Sequence, residues 1–193
     1  MAHRYLGPME AHKDDETRAA WLRERQASGT SSEEALAFFD ALPPVKIEEM
    51  IGRWKGSGLP TGHPQDGMLE ATGWYGKEFL DAETVHPLLF TDGKEVFAVE
   101  SKNLPIGMMR RPSETAKSIT KALFPLVGKL ARITEPRARL RMVEHRGQLS
   151  VAMIYDYLPI NDHFRRVDAN TRLGLMDLRG EPKPFFFVLR RER

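Results

Sequence analysis

The sequence predicts a mainly β (α+β) chain, an antiparallel β-barrel with helices at its N-terminal end and one inserted helix. Three observations predict it. A capped amphipathic helix stands early, at Ser31 to Leu42. Six glycines and prolines then crowd between Gly56 and Gly67, too densely for a long helix. Finally, Arg137 to Tyr157 reads as two alternating strands around an Arg146-Gly147 turn.

In chain order, residues 1–30 are a polar leader. Asp14 to Gln26 can form a helix, but its apolar positions are sparse, and Ser28-Gly29-Thr30 reads as a hinge. The leader is therefore expected to be mobile, or to dock only in an oligomer such as a homodimer. Residues 31–193 are expected to form one barrel domain, with halves at 31–104 and 105–193. Ser31 and Glu34 make a capping box, and Leu36, Phe38, Phe39 and Leu42 follow as the apolar stripe. Pro43-Pro44 ends that helix, and a short piece from Val45 to Ile51 stops at Gly52. Strands are expected at Trp74 to Leu80, Val85 to Phe90 and Glu95 to Ser101. Ser113 to Leu130 carries a helical stripe that Pro125 should kink. In the hairpin, residue i pairs with 293 − i, a sum fixed by a two-residue turn at Arg146-Gly147. Leu140 then faces Met153 and Ala138 faces Tyr155 on an apolar side. Arg137, Arg139 and Arg141 line the other side. A last strand runs from Phe185 to Arg190.

Composition removes whole classes of function. The chain has no cysteine, which excludes disulfides, thiolate metal sites and cysteine nucleophiles. No apolar run approaches the roughly 20 residues of a membrane span. Met1 to Arg25 has no apolar stretch of the kind export signals need, so the cytoplasm is the expected compartment. Charge is uneven: Asp66 to Glu100 holds eight acidic and two basic residues, Pro105 to Gly147 ten basic and three acidic. Nucleic acid would need a basic face interleaved with aromatics, and the basic half has almost none. Two complementary faces of one domain account for the asymmetry, and no nucleic-acid partner is expected.

Several residues could carry chemistry. Gly52-x-Trp54-x-Gly56 lets the backbone turn into a strand while the indole plugs a barrel end, with Arg190 or Arg191 over the ring. Alternatively, Trp54 is an ordinary core residue. His63-Pro64 and His86-Pro87, with Asp66, could form a two-His-one-carboxylate metal site or supply a haem ligand. Turn or core histidines are the bland alternative. Asp156 and Asp162 could converge across a loop after Pro159 and share acid–base work. Otherwise Asp156 pairs with Arg137 and Asp162 caps a turn. The arginine row, if turned inward, would clamp an anionic head group; outward, it is a solvent face. No phosphate loop, Gly-x-Ser-x-Gly elbow or His-Glu-x-x-His occurs.

At Gly52-Arg53-Trp54-Lys55-Gly56, Thr61-Gly62-His63-Pro64, Gly73-Trp74-Tyr75-Gly76-Lys77 and Val85-His86-Pro87-Leu88-Leu89-Phe90, the chain resembles the GXWXG protein family. Its second half resembles the domain of unknown function that commonly follows. The residues there are Met153-Ile154-Tyr155-Asp156, Pro159-Ile160-x-Asp162-x-Phe164, Val167-Asp168, Leu173-Gly174-x-Met176-Asp177 and Phe185-Phe186. A fainter likeness, through Gly52-x-Trp54-x-Gly56-x-Gly58, is to lipocalins and nitrobindin, calycin-like barrels for lipophilic ligands or haem. The Ser113 to Leu130 helix and the lack of an evident strand meander depart from both, and either would leave the barrel incomplete. The resemblance implies a pocket for a small, partly apolar ligand, with an anionic head as one form of it, and with Trp74, Tyr75, His63, His86, Arg139, Arg141 and Tyr155 as candidate lining residues. An acid–base enzyme (isomerase, lyase or hydrolase), or a haem or metal binder, is the alternative.

Overall fold

A computed structural model describes residues 8–102 and 130–193. The expected helix from Ser113 lies outside the described residues, apart from Leu130. Among the described residues, eight antiparallel strands close into a barrel. They are β1 (Gly52–Gly58), β2 (Trp74–Phe79), β3 (Val85–Thr91), β6 (Ala138–His145), β7 (Gln148–Tyr155), β8 (Ile160–Asp168), β9 (Thr171–Leu178) and β10 (Phe185–Arg191). Each strand pairs with the next of these in sequence, and β10 returns to β1. The meander that the sequence conceals is therefore complete. It is interrupted by β4 (Val96–Val99) and β5 (Arg132–Ile133), which extend from the second half of β3. The seam between β3 and β6 is thin: one registered pair, Val85 with Ala138, plus bonds from the Arg137 amide to the Val85 carbonyl and from the Leu140 amide to the Ala82 carbonyl.

The β6–β7 hairpin has the register its turn dictates, Leu140 opposite Met153 and Ala138 opposite Tyr155. Arg146 (φ 54°) and Gly147 (φ 74°) both lie in the left-handed region that such a two-residue turn requires. Beyond Ala152 and His163, strands β7 and β8 part. Pro43 to Val45 fills the gap, with Pro43 accepting from Arg166 and Val45 accepting from Val151.

Two apolar layers result. The inner one lies inside the barrel and includes Trp54, Trp74, Phe79, Leu140, Met153, Phe164, Met176 and Phe187. The outer one lies between β8, β9, β10 and two helices, α1 (Pro8–Ser28) and α2 (Ser32–Ala41). The capping box of Ser31 and Glu34 starts α2 as its sequence demands. Helix α1, within the expected polar leader, packs on the barrel. Leu22 is fully buried, Trp21 stacks on Phe38 at 3.9 Å, and Arg18 donates to the Val167 carbonyl at 2.9 Å. A few well-placed contacts dock this helix despite its polar composition. No described helix is long and apolar enough to cross a membrane.

Candidate functional site

Trp54 lies at one end of the barrel with none of its surface accessible. Its indole N–H donates to the Met50 carbonyl at 2.6 Å, and the turn at Ile47–Glu49 covers that end. Arg191 and Arg172 sit over the ring, 4.3 and 5.0 Å from its centroid. Arg190 is not the cap. Alternation along β10 turns it outward, where it donates to the Gln26 side chain at 2.6 Å. Arg172 was not foreseen; burial lowers its pKa to about 10, and the carbonyls of Glu49, Asp168, Ala169 and Thr171 accept from its guanidinium.

The inner wall also carries an ion pair. Lys77 Nζ stands 2.8 Å from Asp162 Oδ2, and both side chains are buried. The ammonium also donates to the Pro87 carbonyl at 3.0 Å and the Tyr155 hydroxyl at 3.3 Å, so all three of its N–H groups are used. Three rings surround it: Phe187, Tyr155 and Trp74, with centroids 5.0, 5.5 and 5.6 Å away. Burial pushes the Lys77 pKa down and those of Asp162 and Tyr155 up, while the mutual attraction of Lys77 and Asp162 opposes the shift in both.

Lys77 points inward because of one glycine. Along β2, Trp74, Lys77 and Phe79 are all inward, and the odd step from 74 to 77 needs a bulge. Gly76, at φ 145°, supplies it; a Cβ there would lie 2.0 Å from the Trp54 carbonyl oxygen. Two further glycines make room for rings. A Cβ on Gly56 would lie 2.0 Å from the Trp74 ring, and one on Gly174 2.3 Å from Phe187.

Two buried polar atoms beside the ion pair, Trp74 Nε1 and Asp162 Oδ1, have no hydrogen-bond partner among the described residues. Accessibility is zero at Trp54, 8% at Trp74 and Tyr155, and 9% at Met176.

The remaining candidates lie elsewhere. Asp156 is exposed and pairs with Arg139 at 2.6 Å, while Asp162 is inside the barrel, so the two carboxylates do not converge. Asp162 belongs to a strand, not to a loop. Arg139 and Arg141 face outward, Arg141 pairing with Glu83 at 2.8 Å; Arg137 pairs with Glu100. Tyr75 faces outward and donates to Glu192 at 2.6 Å. His86 borders an outer groove of ≈ 580 Å³ together with Arg53, Glu78 and Arg132. His63 is buried in the loop after β1, 5.2 Å from the Phe185 ring, and burial lowers its pKa. Asp66 accepts from the Thr61 and His63 amides. Among the described residues, His63 and His86 share no cluster of three metal-ligating groups. Among the described residues, the cluster that is grouped comprises His145, His163 and Asp177.

Similarity to known proteins follows the two halves of the chain. Residues 37–94 match the model of the GXWXG protein family, and residues 136–191 match a domain of unknown function, DUF4334. A crystal structure of a protein from Thermomonospora curvata is 34% identical, with a TM-score of 0.67. The match covers 93% of this chain and 99% of that one. No match was found among curated proteins.

Proposed function

This chain belongs to the GXWXG protein family, with a DUF4334 C-terminal half, and we propose that its barrel binds a small, partly apolar molecule without converting it. The observation that carries the reading is the pair of unpartnered polar atoms, Trp74 Nε1 and Asp162 Oδ1, buried beside the caged Lys77. A buried donor and a buried acceptor left unmade cost about 1–3 kcal/mol each. A ligand head that offers one acceptor and one donor recovers both. Tyr155, whose oxygen accepts from Lys77, has its own proton to give such a head.

Charge narrows the ligand class. The positive group beside the two unpartnered atoms is Lys77, and Asp162 balances it, so an anionic head gains little. A neutral head such as a hydroxyl or a carboxamide fits better. Its apolar part would lie against Trp74, Met176, Phe187 and Phe90, with Trp54 as the floor. The separation of Asp156 from Asp162 removes the geometric support for acid–base work by those two carboxylates.

Native mass spectrometry of the freshly purified chain tests this reading. The chain should carry a small amphiphile, or accept one from a panel of alkyl alcohols and alkyl amides after delipidation. Trp74→Phe, which keeps the ring and removes the N–H, should weaken uptake by about tenfold, the equivalent of about 1.4 kcal/mol. A chain that neither carries nor accepts any of them would contradict it.

A further inference from the structure

On the outer wall of the barrel, His145, His163 and Asp177 bring one ligand atom each within 4.8 Å of one another. We propose that they form a site for a first-row transition-metal dication of the zinc class. Two imidazoles and a carboxylate are a donor set for such ions, with a fourth position left to water.

The sequence disperses these residues, and the sheet gathers them. His163 faces outward on β8 opposite Leu175 of β9, and Asp177 lies two residues further along β9 on the same face. His145, the last residue of β6, lays its ring on that of His163, with centroids 3.8 Å apart and planes within 7°. His163 is 3% exposed, and its Nε2 has no hydrogen-bond partner among the described residues. That atom lies 4.0 Å from Asp177 Oδ2, too far for a hydrogen bond. Ligand atoms around a tetrahedral zinc ion stand about 3.4 Å apart, given bonds of about 2.1 Å. Little contraction would close the site.

Two features set its limits. Parallel rings aim their lone pairs side by side, so capture requires one ring to turn. His145, the less buried and next to the Arg146-Gly147 turn, is the one placed to do so. Arg165 is a nearby positive charge, but its guanidinium donates to the carbonyls of His145 and Phe164 at 3.0 and 3.2 Å. The exposed Asp177 carboxylate faces solvent and gives an ion its route in.

The test uses the full chain, stripped with chelator and titrated with Co²⁺ followed by displacement with Zn²⁺. One equivalent of Co²⁺ should bind with the visible absorption of a low-coordinate site, and Zn²⁺ should abolish it. His145→Ala and Asp177→Asn should each weaken uptake by about tenfold or more. Asp177→Asn, nearly isosteric and exposed, serves if His145→Ala fails to fold. No uptake by the parent chain overturns the proposal. So does unchanged affinity in either folded variant, which would place the ion on other histidines of the six in the sequence.

Discussion

Removing either partner of the buried ion pair should be at least as damaging as removing both. Lys77 and Asp162 are 2.8 Å apart with side chains 3% and 2% exposed. Lys77→Met leaves a carboxylate inside the barrel with no counter-charge, at a cost of about 3–5 kcal/mol. For a chain of this size each kcal/mol lowers Tm by about 2–4 °C, so Tm should fall by about 6–20 °C. Asp162→Leu should cost a similar amount by stranding the ammonium. The double variant K77M/D162L should be no worse than the poorer single variant, because no charge remains to desolvate. The pH dependence separates the two single variants. In Lys77→Met, Asp162 has a folded pKa raised above its unfolded value of about 3.9, so the native state binds more protons than the unfolded one. Its deficit relative to the parent chain should shrink as pH falls towards about 4. In Asp162→Leu, Lys77 has a folded pKa below its unfolded value of about 10.4, so its deficit should shrink as pH rises towards about 10. Urea unfolding followed by circular dichroism across pH measures both. Additive losses in the double variant, or the same pH slope in both single variants, would refute the reasoning.

Three further outcomes follow from the same packing. Gly174→Ala places a Cβ 2.3 Å from the Phe187 ring, and the forced shift of that ring should cost about 1–3 kcal/mol in urea unfolding. Arg191→Leu removes the ring cap and two bonds to the Ile51 and Glu49 carbonyls, so a loss of about 2–3 kcal/mol should appear in the same assay. Asp156→Ala breaks only the exposed pair with Arg139; calorimetric Tm should move by about 1 kcal/mol equivalent or less, and ligand uptake should be unchanged.

Sequence patterns revealed some elements and hid others, for physical reasons. The hairpin was legible because β6 and β7 alternate around a turn whose residues accept positive φ. Strands β8 and β9 were not, because both their faces are covered. Outward residues Val167, Leu173 and Leu175 lie under the helices, while inward Phe164, Gly174 and Met176 lie inside the barrel. Burial on both sides erases the alternation that marks a half-exposed strand. Asp162 thus looked like a loop carboxylate, although it projects inward from a strand. Lys77 gave no signal, since a lone lysine in a strand ordinarily faces water. The one local clue was Gly76, whose bulge redirects the side chain that follows it. Helix α1 was read as a leader because only a few of its residues meet the barrel. The His145, His163 and Asp177 cluster depends on long-range register that no local motif encodes.

The claim that the barrel interior recognises a ligand head can be read at a single proton. The sequence has three tryptophans, so a ¹H–¹⁵N correlation spectrum resolves three indole N–H signals. Titration with an alkyl alcohol or alkyl amide should shift the Trp74 signal downfield as its N–H gains an acceptor. The Trp54 signal, already bonded to the Met50 carbonyl, should stay in place. A stationary Trp74 signal under saturating ligand, or a shift confined to Trp21 on the outer face, would contradict it.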